Sequence, residues 1–340
     1  MRNVIIICLS VVALFGWRTA TKVQLTPDTP VMEVLLALGE TAPDHYVAEI
    51  DAEKARMGYE MVHQGRAALP DGGYSNYISA IFVCTDCHNQ RREDPVLAQP
   101  NPEDRLAYAV ENDLKFLQST TFWGMVNRES WYNDDYVEKY GDLVDPAKSS
   151  LYEATQLCAR ECSSGRYLEK WEAEAINHYY WTIQLRLSDL DLSEDELSFI
   201  AKAMDGDNDG QRQQAVQTLK SKYLLASPAD FVDPPKDRWK GYEDTQPGDP
   251  KIGELIYDKS CMTCHAYGGP SLFILDHSKK SYKLFAKNLW KDSPYALYDI
   301  VRHGTYAEPG HRQYMPLYTA DRMSNQQLED LRAFLVQGAE

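Results

Sequence analysis

Apolar positions recur along the chain with the three-and-four spacing of a buried helix face. Met57, Met61 and Val62 mark such a face within residues 51–64. Trp171, Ala175, Tyr179 and Ile183 mark another, on a longer amphipathic segment over 168–187. The same spacing predicts helices over 31–38, 103–117, 193–204 and 211–223. Start signals agree with several of these. Asn101-Pro102 opens the 103–117 segment, Asp249-Pro250 supplies an N-cap and a first helical proline, and Ser324 with Gln327 forms a capping box. Leu69-Pro70-Asp71-Gly72-Gly73 reads as a loop. Residues 227–250 carry Pro228, Pro234, Pro235, Gly241, Pro247, Gly248 and Pro250, the composition of an interdomain linker or a docked extended strap. The chain divides accordingly into 44–226, a linker at 227–248, and a compact unit over 249–340. Its 340 residues suit two to three domains at the usual domain size.

Residues 4–15 form an unbroken apolar or small stretch behind Arg2, and residues 1–20 read as an export signal. As a helix the stretch spans about 18 Å, short of the roughly 30 Å of a bilayer core. Membrane association through an uncleaved N-terminus stays open, since Arg18 spoils a cleavage match at Ala20, and Cys8 lacks a lipid-anchor context. The formal net charge is −16, and removal of Arg2 and Arg18 with the leader would make it about −18. That balance disfavours nucleic acid and anionic membrane surfaces as partners. It leaves a basic redox partner or a plain solvated acidic surface.

Chemistry enters with Cys84-Thr85-Asp86-Cys87-His88 and again with Cys261-Met262-Thr263-Cys264-His265. Cys-x-x-Cys-His is the attachment pattern of a c-type haem: two thiols on one turn reach the two vinyl groups, and the next residue lies under the iron. A zinc site would need four ligands drawn from motifs more than 170 residues apart and would leave both histidines without a reason. Two covalently attached haem c groups are therefore expected, with Cys84, Cys87, Cys261 and Cys264 in the thioether bonds and His88 and His265 as proximal ligands. Covalent haem attachment outside the bacterial inner membrane agrees with export, so the expected location is periplasmic. The 22 Tyr and seven Trp suit haem pockets, and the aromatic stretch 121–140 is expected to wrap the first haem.

Residues 249–340 resemble a class I cytochrome c domain. The resemblance implies a first helix, the haem motif, a loop supplying a Met ligand, and a last helix crossing the first, with Gly253 at that crossing against Phe334. Met315-Pro316 stands 50 residues after His265 and just ahead of the last helix, where that family's axial Met falls. Met323 is the fallback ligand, but it directly precedes the cap residue Ser324 and reads as packing. The whole chain resembles a tandem dihaem cytochrome, so the expected fold is mainly α, two cytochrome c-like helical haem domains in tandem with long insertions in the first. Arg302, His303 and Tyr306 are either propionate contacts or ordinary surface groups.

The sixth ligand of the first haem has several candidates. Met125 follows His88 by 37 residues, and Met204 falls after the closing helix, in the wrong order. Cys158-Ala159-Arg160-Glu161-Cys162-Ser163-Ser164-Gly165-Arg166 resembles a loop of the thiosulfate dehydrogenase cytochromes, in which a Cys thiolate binds one iron and an Asn-Gly-basic turn follows. Gly165 and Arg166 match, and Ser164 stands where that family has Asn. The resemblance implies Cys158 as an iron ligand, with Arg160 and Arg166 favouring its thiolate. The competing reading makes Cys158 and Cys162 a disulfide, which an exported protein would keep, or two free structural thiols.

Asp205-Gly206-Asp207-Asn208-Asp209-Gly210 copies half a calcium loop, but Val216 stands where the bidentate Glu belongs, so an acidic turn is expected. His45, His63, His178, His277 and His311 have no motif around them. The first functional expectation is an electron carrier working with redox proteins such as another cytochrome or a terminal oxidase. The second is a thiosulfate dehydrogenase-like enzyme oxidising a sulfur anion at the first haem. A dihaem peroxidase would need an open iron position.

Overall fold

A computed structural model describes residues 24–289, 291, 293–305 and 315–340. The apolar leader with Cys8, and also Tyr306 and His311, lie outside the described residues. The chain runs through α1 (Val31–Ala37), α2 (Ala52–Gln64), α3 (Pro102–Glu111), the short helices α4 (Val137–Tyr140), α5 (Val144–Ser149) and α6 (Leu151–Leu157), then α7 (Lys170–Thr182), α8 (Glu194–Asp205) and α9 (Asp209–Lys220). After the proline-rich segment come α10 (Pro250–Ile256), α11 (Met262–His265), α12 (Lys279–Asn288), α13 (Leu297–His303) and α14 (Asn325–Ala339). The described residues hold no β-strand, and the fold is mainly α and cytochrome c-like.

Two cores organise the chain. The first gathers Val34, Leu35, Met61, Val62, Ala175, Ile176, Trp181, Ile200 and Leu219 from α1, α2, α7, α8 and α9. The second gathers Ile256, Tyr257, Leu297, Tyr298, Met323, Leu328, Leu331 and Leu335. Each core turns on one helix crossing. In the second, Gly253 of α10 lets α14 come so close that a Cβ would sit 2.0 Å from the Asp330 carbonyl oxygen and 2.7 Å from Phe334 Cβ. In the first, Gly58 of α2 does the same against α7, where a Cβ would meet the Ala175 carbonyl oxygen at 2.1 Å. Both crossings need a residue without a side chain, since backbone on the far side cannot yield.

Several expected helices appear within a residue or two. Asp51 caps α2 by accepting from the Glu53 and Lys54 N–H groups at 2.9 and 3.0 Å. Ser324 and Gln327 cap α14 reciprocally. Two helices are shorter than their patterns. The 168–187 segment ends at Thr182, because the Ile183 carbonyl accepts from Gly124 N–H at 2.8 Å and Leu185 N–H donates to Asn127 Oδ1 at 2.9 Å. The 103–117 segment ends at Glu111, and Asp113 is left-handed with φ 49°. Beyond Asp113 the chain runs extended, so that Phe116 N–H reaches the Lys259 carbonyl at 2.8 Å and Phe122 N–H the Asn89 carbonyl at 2.9 Å.

The sequence divisions at 44 and 227 do not coincide with the cores. Val31, Val34 and Leu35 of α1 belong to the first core, and Leu106 of α3 with Phe116 packs into the second. The proline-rich segment is a docked strap. Asn133 Nδ2 donates to the Ala229 carbonyl at 2.6 Å, Ala320 N–H to the Asp230 carbonyl at 2.8 Å, and Arg238 pairs with Asp299 at 2.7 Å. The acidic run 205–210 is the α8–α9 turn, with Asn208 accepting from Gln211 N–H at 3.1 Å and Val216 buried in the core.

Candidate functional site

The first Cys-x-x-Cys-His folds as a tight turn. Asp86 accepts from Val83 N–H at 2.8 Å, and His88 N–H closes on the Cys84 carbonyl at 3.0 Å. Cys84, Cys87 and His88 thereby share one wall of a cavity of about 1370 Å³, part of it open to solvent. His88 Nδ1 lies 2.6 Å from the Thr120 carbonyl oxygen, and its ring stacks on Phe122 with centroids 4.1 Å apart. A carbonyl only accepts, so the proton is on Nδ1 and the Nε2 lone pair is free for a metal. Burial pulls the His88 pKa down to about 4, which keeps the imidazole neutral.

Cys158 Sγ faces Nε2 at 4.0 Å. It opens a π-helical turn, Cys158–Cys162, that continues α6, a distortion that recurs at functional sites. A metal between an imidazole nitrogen and a thiolate sulfur needs bonds of about 2.0 and 2.3 Å, a span of about 4.3 Å when collinear. Met125 lines the same cavity, but among the described residues the sulfur within 4.0 Å of His88 Nε2 is that of Cys158. Met204 packs against the first core instead.

Cys158 and Cys162 are both free thiols, four residues apart on this turn. Cys162 meets the hydroxyls of Tyr140 at 3.4 Å and Tyr132 at 3.7 Å. Cys158 holds the Cys162 thiol down at about 7 against burial, helped by the two phenols and the nearby Lys139 ammonium. Cys158 is pushed well up by Cys162 and by burial. A ferric ion reverses that order for whichever sulfur it binds. The expected arginines are elsewhere. Arg166 forks onto Glu172 at 2.6 and 2.7 Å, and Arg160 donates to the Gly165 carbonyl at 3.2 Å over Tyr167. Neither lines the cavity, because Glu172 and the Gly165 carbonyl give them partners elsewhere.

The cations that do line the cavity are Arg128 and Arg322, neither of which carries a sequence signal. Arg128 donates to Thr120 Oγ1 at 3.3 Å, and burial lowers its pKa. Arg322 pairs with Glu93 at 2.9 Å, both side chains almost fully buried. Burial alone would raise Glu93, but Arg322 and Arg105 hold it at about 2, while burial and the Glu93 charge push neighbouring Asp94 up to about 6. Phe122, Trp131, Tyr132, Tyr136, Tyr140 and Tyr180 form the apolar walls. A flat aromatic cleft with two thiols, a free imidazole nitrogen and cations at its edge fits haem c, whose propionates would take the arginines.

The second motif comes after a π turn (Tyr257–Cys261) that leads into α11. His265 Nδ1 donates to the Phe273 carbonyl at 2.7 Å, leaving Nε2 free as at His88. Leu272, Phe273 and Ile274 stand exposed beside it, an apolar face suited to a porphyrin. Met315 is tied to the end of α13, its N–H donating to Thr305 Oγ1 at 2.9 Å and its carbonyl accepting from Thr305 N–H at 3.0 Å. Met323 is 1% exposed in the second core. Arg302 is neither a surface group nor free for a propionate. It is 2% exposed and donates to the Tyr318 and Met323 carbonyls at 3.1 and 2.8 Å. His45, His63, His178 and His277 are all satisfied, His178 by accepting from Asp51 N–H at the start of α2.

The two motifs are neighbours. Between them runs the extended segment 113–120. Ser119 N–H donates to the Cys87 carbonyl at 3.3 Å, Tyr318 OH to the Phe116 carbonyl at 3.2 Å, and Arg322 to the Leu117 and Ser119 carbonyls at 3.0 and 2.8 Å. Pro316 and Leu317, directly after Met315, line the first cavity.

This geometry is that of a c-type cytochrome unit, with covalently bound haem c and a role in electron transfer. Residues 248–335 match the profile of a family described as cytochrome C oxidase, cbb3-type, subunit III. No curated protein and no solved structure matches the chain.

Proposed function

We propose that the chain is an exported dihaem cytochrome that passes electrons between two haems held side by side and on to redox partners such as another cytochrome or a terminal oxidase. The observation that carries this reading is the segment 113–120, which is bonded to the first Cys-x-x-Cys-His turn at Cys87 and to Lys259, two residues ahead of the second. The matching glycine crossings, Gly58 on α7 and Gly253 on α14, support a cytochrome c-like frame for the first unit as well.

Each haem c supplies a one-electron ferric/ferrous couple. Cys84 and Cys87 fasten the first, Cys261 and Cys264 the second. His88 and His265 present Nε2 to the irons, oriented by the Thr120 and Phe273 carbonyls. Met315 would serve as sixth ligand at the second haem and Cys158 at the first, Cys158 Sγ being the sulfur that stands 4.0 Å from His88 Nε2. A thioether favours the ferrous state and a thiolate the ferric state, so electrons leave from the second haem. Aromatic side chains would pack on the first haem, and Arg128 and Arg322 would offset propionate charge. The test is a haem count by pyridine haemochrome and intact mass, with a potentiometric titration. Two haems and two resolved one-electron waves are expected, and a single haem refutes the reading.

The position of Cys158 favours a second reading, a thiosulfate dehydrogenase-like enzyme oxidising a sulfur anion at the first haem. Arg128 and Arg322, not Arg160 and Arg166, would then draw in the anion. Turnover of thiosulfate with an artificial acceptor supports it, and no turnover by fully haem-loaded protein refutes it.

A further inference from the structure

Cys162 has no part in either reading, yet it shares one turn and one cavity with Cys158. Both thiols are free. A helical i, i+4 pair has its Cα atoms about 6.2 Å apart, inside the roughly 4.4–6.8 Å window of a disulfide. The turn is already loosened from α-helical spacing, with Ser163 N–H donating to the Cys158 carbonyl at 2.9 Å, five residues back. One sulfur faces His88 Nε2 at 4.0 Å, and the other rests on the hydroxyls of Tyr140 and Tyr132. Met125 lines the same cavity and offers a replacement sulfur.

We propose that Cys158 and Cys162 form a dithiol/disulfide couple, a redox centre additional to the haems, whose oxidation removes the thiolate from the first iron. This rests on the reading of Cys158 as the iron's ligand. The oxidant is a low-molecular-weight disulfide entering by the solvent-open side of the cavity. The Cys162 sulfur attacks it, giving a mixed disulfide and expelling one thiol. The Cys158 sulfur then leaves the iron and attacks the Cys162 sulfur, closing the internal disulfide and expelling the second thiol. Two electrons pass from the cysteine pair to the oxidant, the Cys162 proton leaves with the first thiol, and the second takes its proton from solvent. His88 would stay in place, and Met125 would be the sulfur left in the cavity to replace Cys158.

The experiment uses the ferric holoprotein, equilibrated without oxygen in glutathione buffers of rising oxidised fraction. Low-temperature EPR reads the first iron, and alkylation with mass spectrometry counts free thiols. In reducing buffer the compressed g-spread of a thiolate ligand and two alkylatable thiols are expected. In oxidising buffer both disappear together with a mass loss of two hydrogens, and added reductant restores them. Cys162→Ser retains the thiolate spectrum throughout, as does Cys162→Ala if the serine variant does not fold. A thiolate spectrum that persists while both thiols become unreactive overturns the couple, as do thiols that stay reactive in fully oxidised buffer. Spectral loss in the Cys162 variants matching that of the wild type also overturns it. Absence of a thiolate spectrum in the fully reduced dithiol protein refutes instead the ligation by Cys158 on which the couple rests.

Discussion

Arg322→Ala tests whether the two units are held by one buried charge. Arg322 Nη1 meets Glu93 at 2.9 Å with the two side chains 3% and 2% exposed. Removing one partner of such a buried pair costs about 3–5 kcal/mol, because the other charge stays behind. Leu117 keeps a donor in Arg105 Nη1 at 3.2 Å, but the Ser119 carbonyl loses the one that reached it at 2.8 Å, adding about 1 kcal/mol. The expected loss is about 4–6 kcal/mol in denaturant unfolding of the holoprotein, monitored by tryptophan fluorescence. The sign of the pH dependence is set by Glu93. In the wild type its pKa is depressed to about 2. Its contribution is therefore complete above the usual 4.5 of a glutamate and fades as pH falls towards 2. Without Arg322, burial raises the pKa, so acid neutralises a carboxylate that is badly placed when charged. The gap between variant and wild type should therefore narrow from about pH 7 to about pH 4. Glu93→Gln combined with Arg322→Met should cost less than Arg322→Ala alone, since no bare charge is left. A loss under about 1 kcal/mol, a gap that widens in acid, or a double variant no better than the single would refute the reasoning.

Two further predictions concern the crossings and the first iron. Gly58→Ala and Gly253→Ala each set a methyl about 2 Å from a carbonyl oxygen, so each should lose about 1–3 kcal/mol or more in thermal unfolding; variants within about 0.5 kcal/mol of wild type would mean the helices can slide apart. Cys158→Ser should abolish the thiolate spectrum and raise the first midpoint potential by at least about 59 mV, a tenfold change for one electron, whereas Met125→Leu leaves the thiol-reduced protein unchanged; potentiometry with EPR checks both, and the opposite pattern would make Met125 the ligand.

The sequence alone carried the chemistry that covalent bonding demands. Two thiols three apart and a histidine directly after them are a local pattern, and the caps of α3, α10 and α14 are local hydrogen bonds, so both were legible residue by residue. Gly253 was legible through its resemblance to a known helix crossing; Gly58, which does the same work in the first unit, was not, since a single glycine in a helix has no signature until its partner is known. Tertiary structure decided the rest. It cut the 103–117 helix short, because residues after Asp113 give their N–H groups to the Lys259 and Cys87 carbonyls and not to the preceding helical turn. It moved the cations of the first cavity from Arg160 and Arg166 to Arg128 and Arg322, one of them from the C-terminal end of the chain. It also brought Cys158 to 4.0 Å from His88 Nε2 across 70 residues of sequence. Distances of that kind depend on how whole helices pack, and packing is a sum over many weak contacts far apart in the chain.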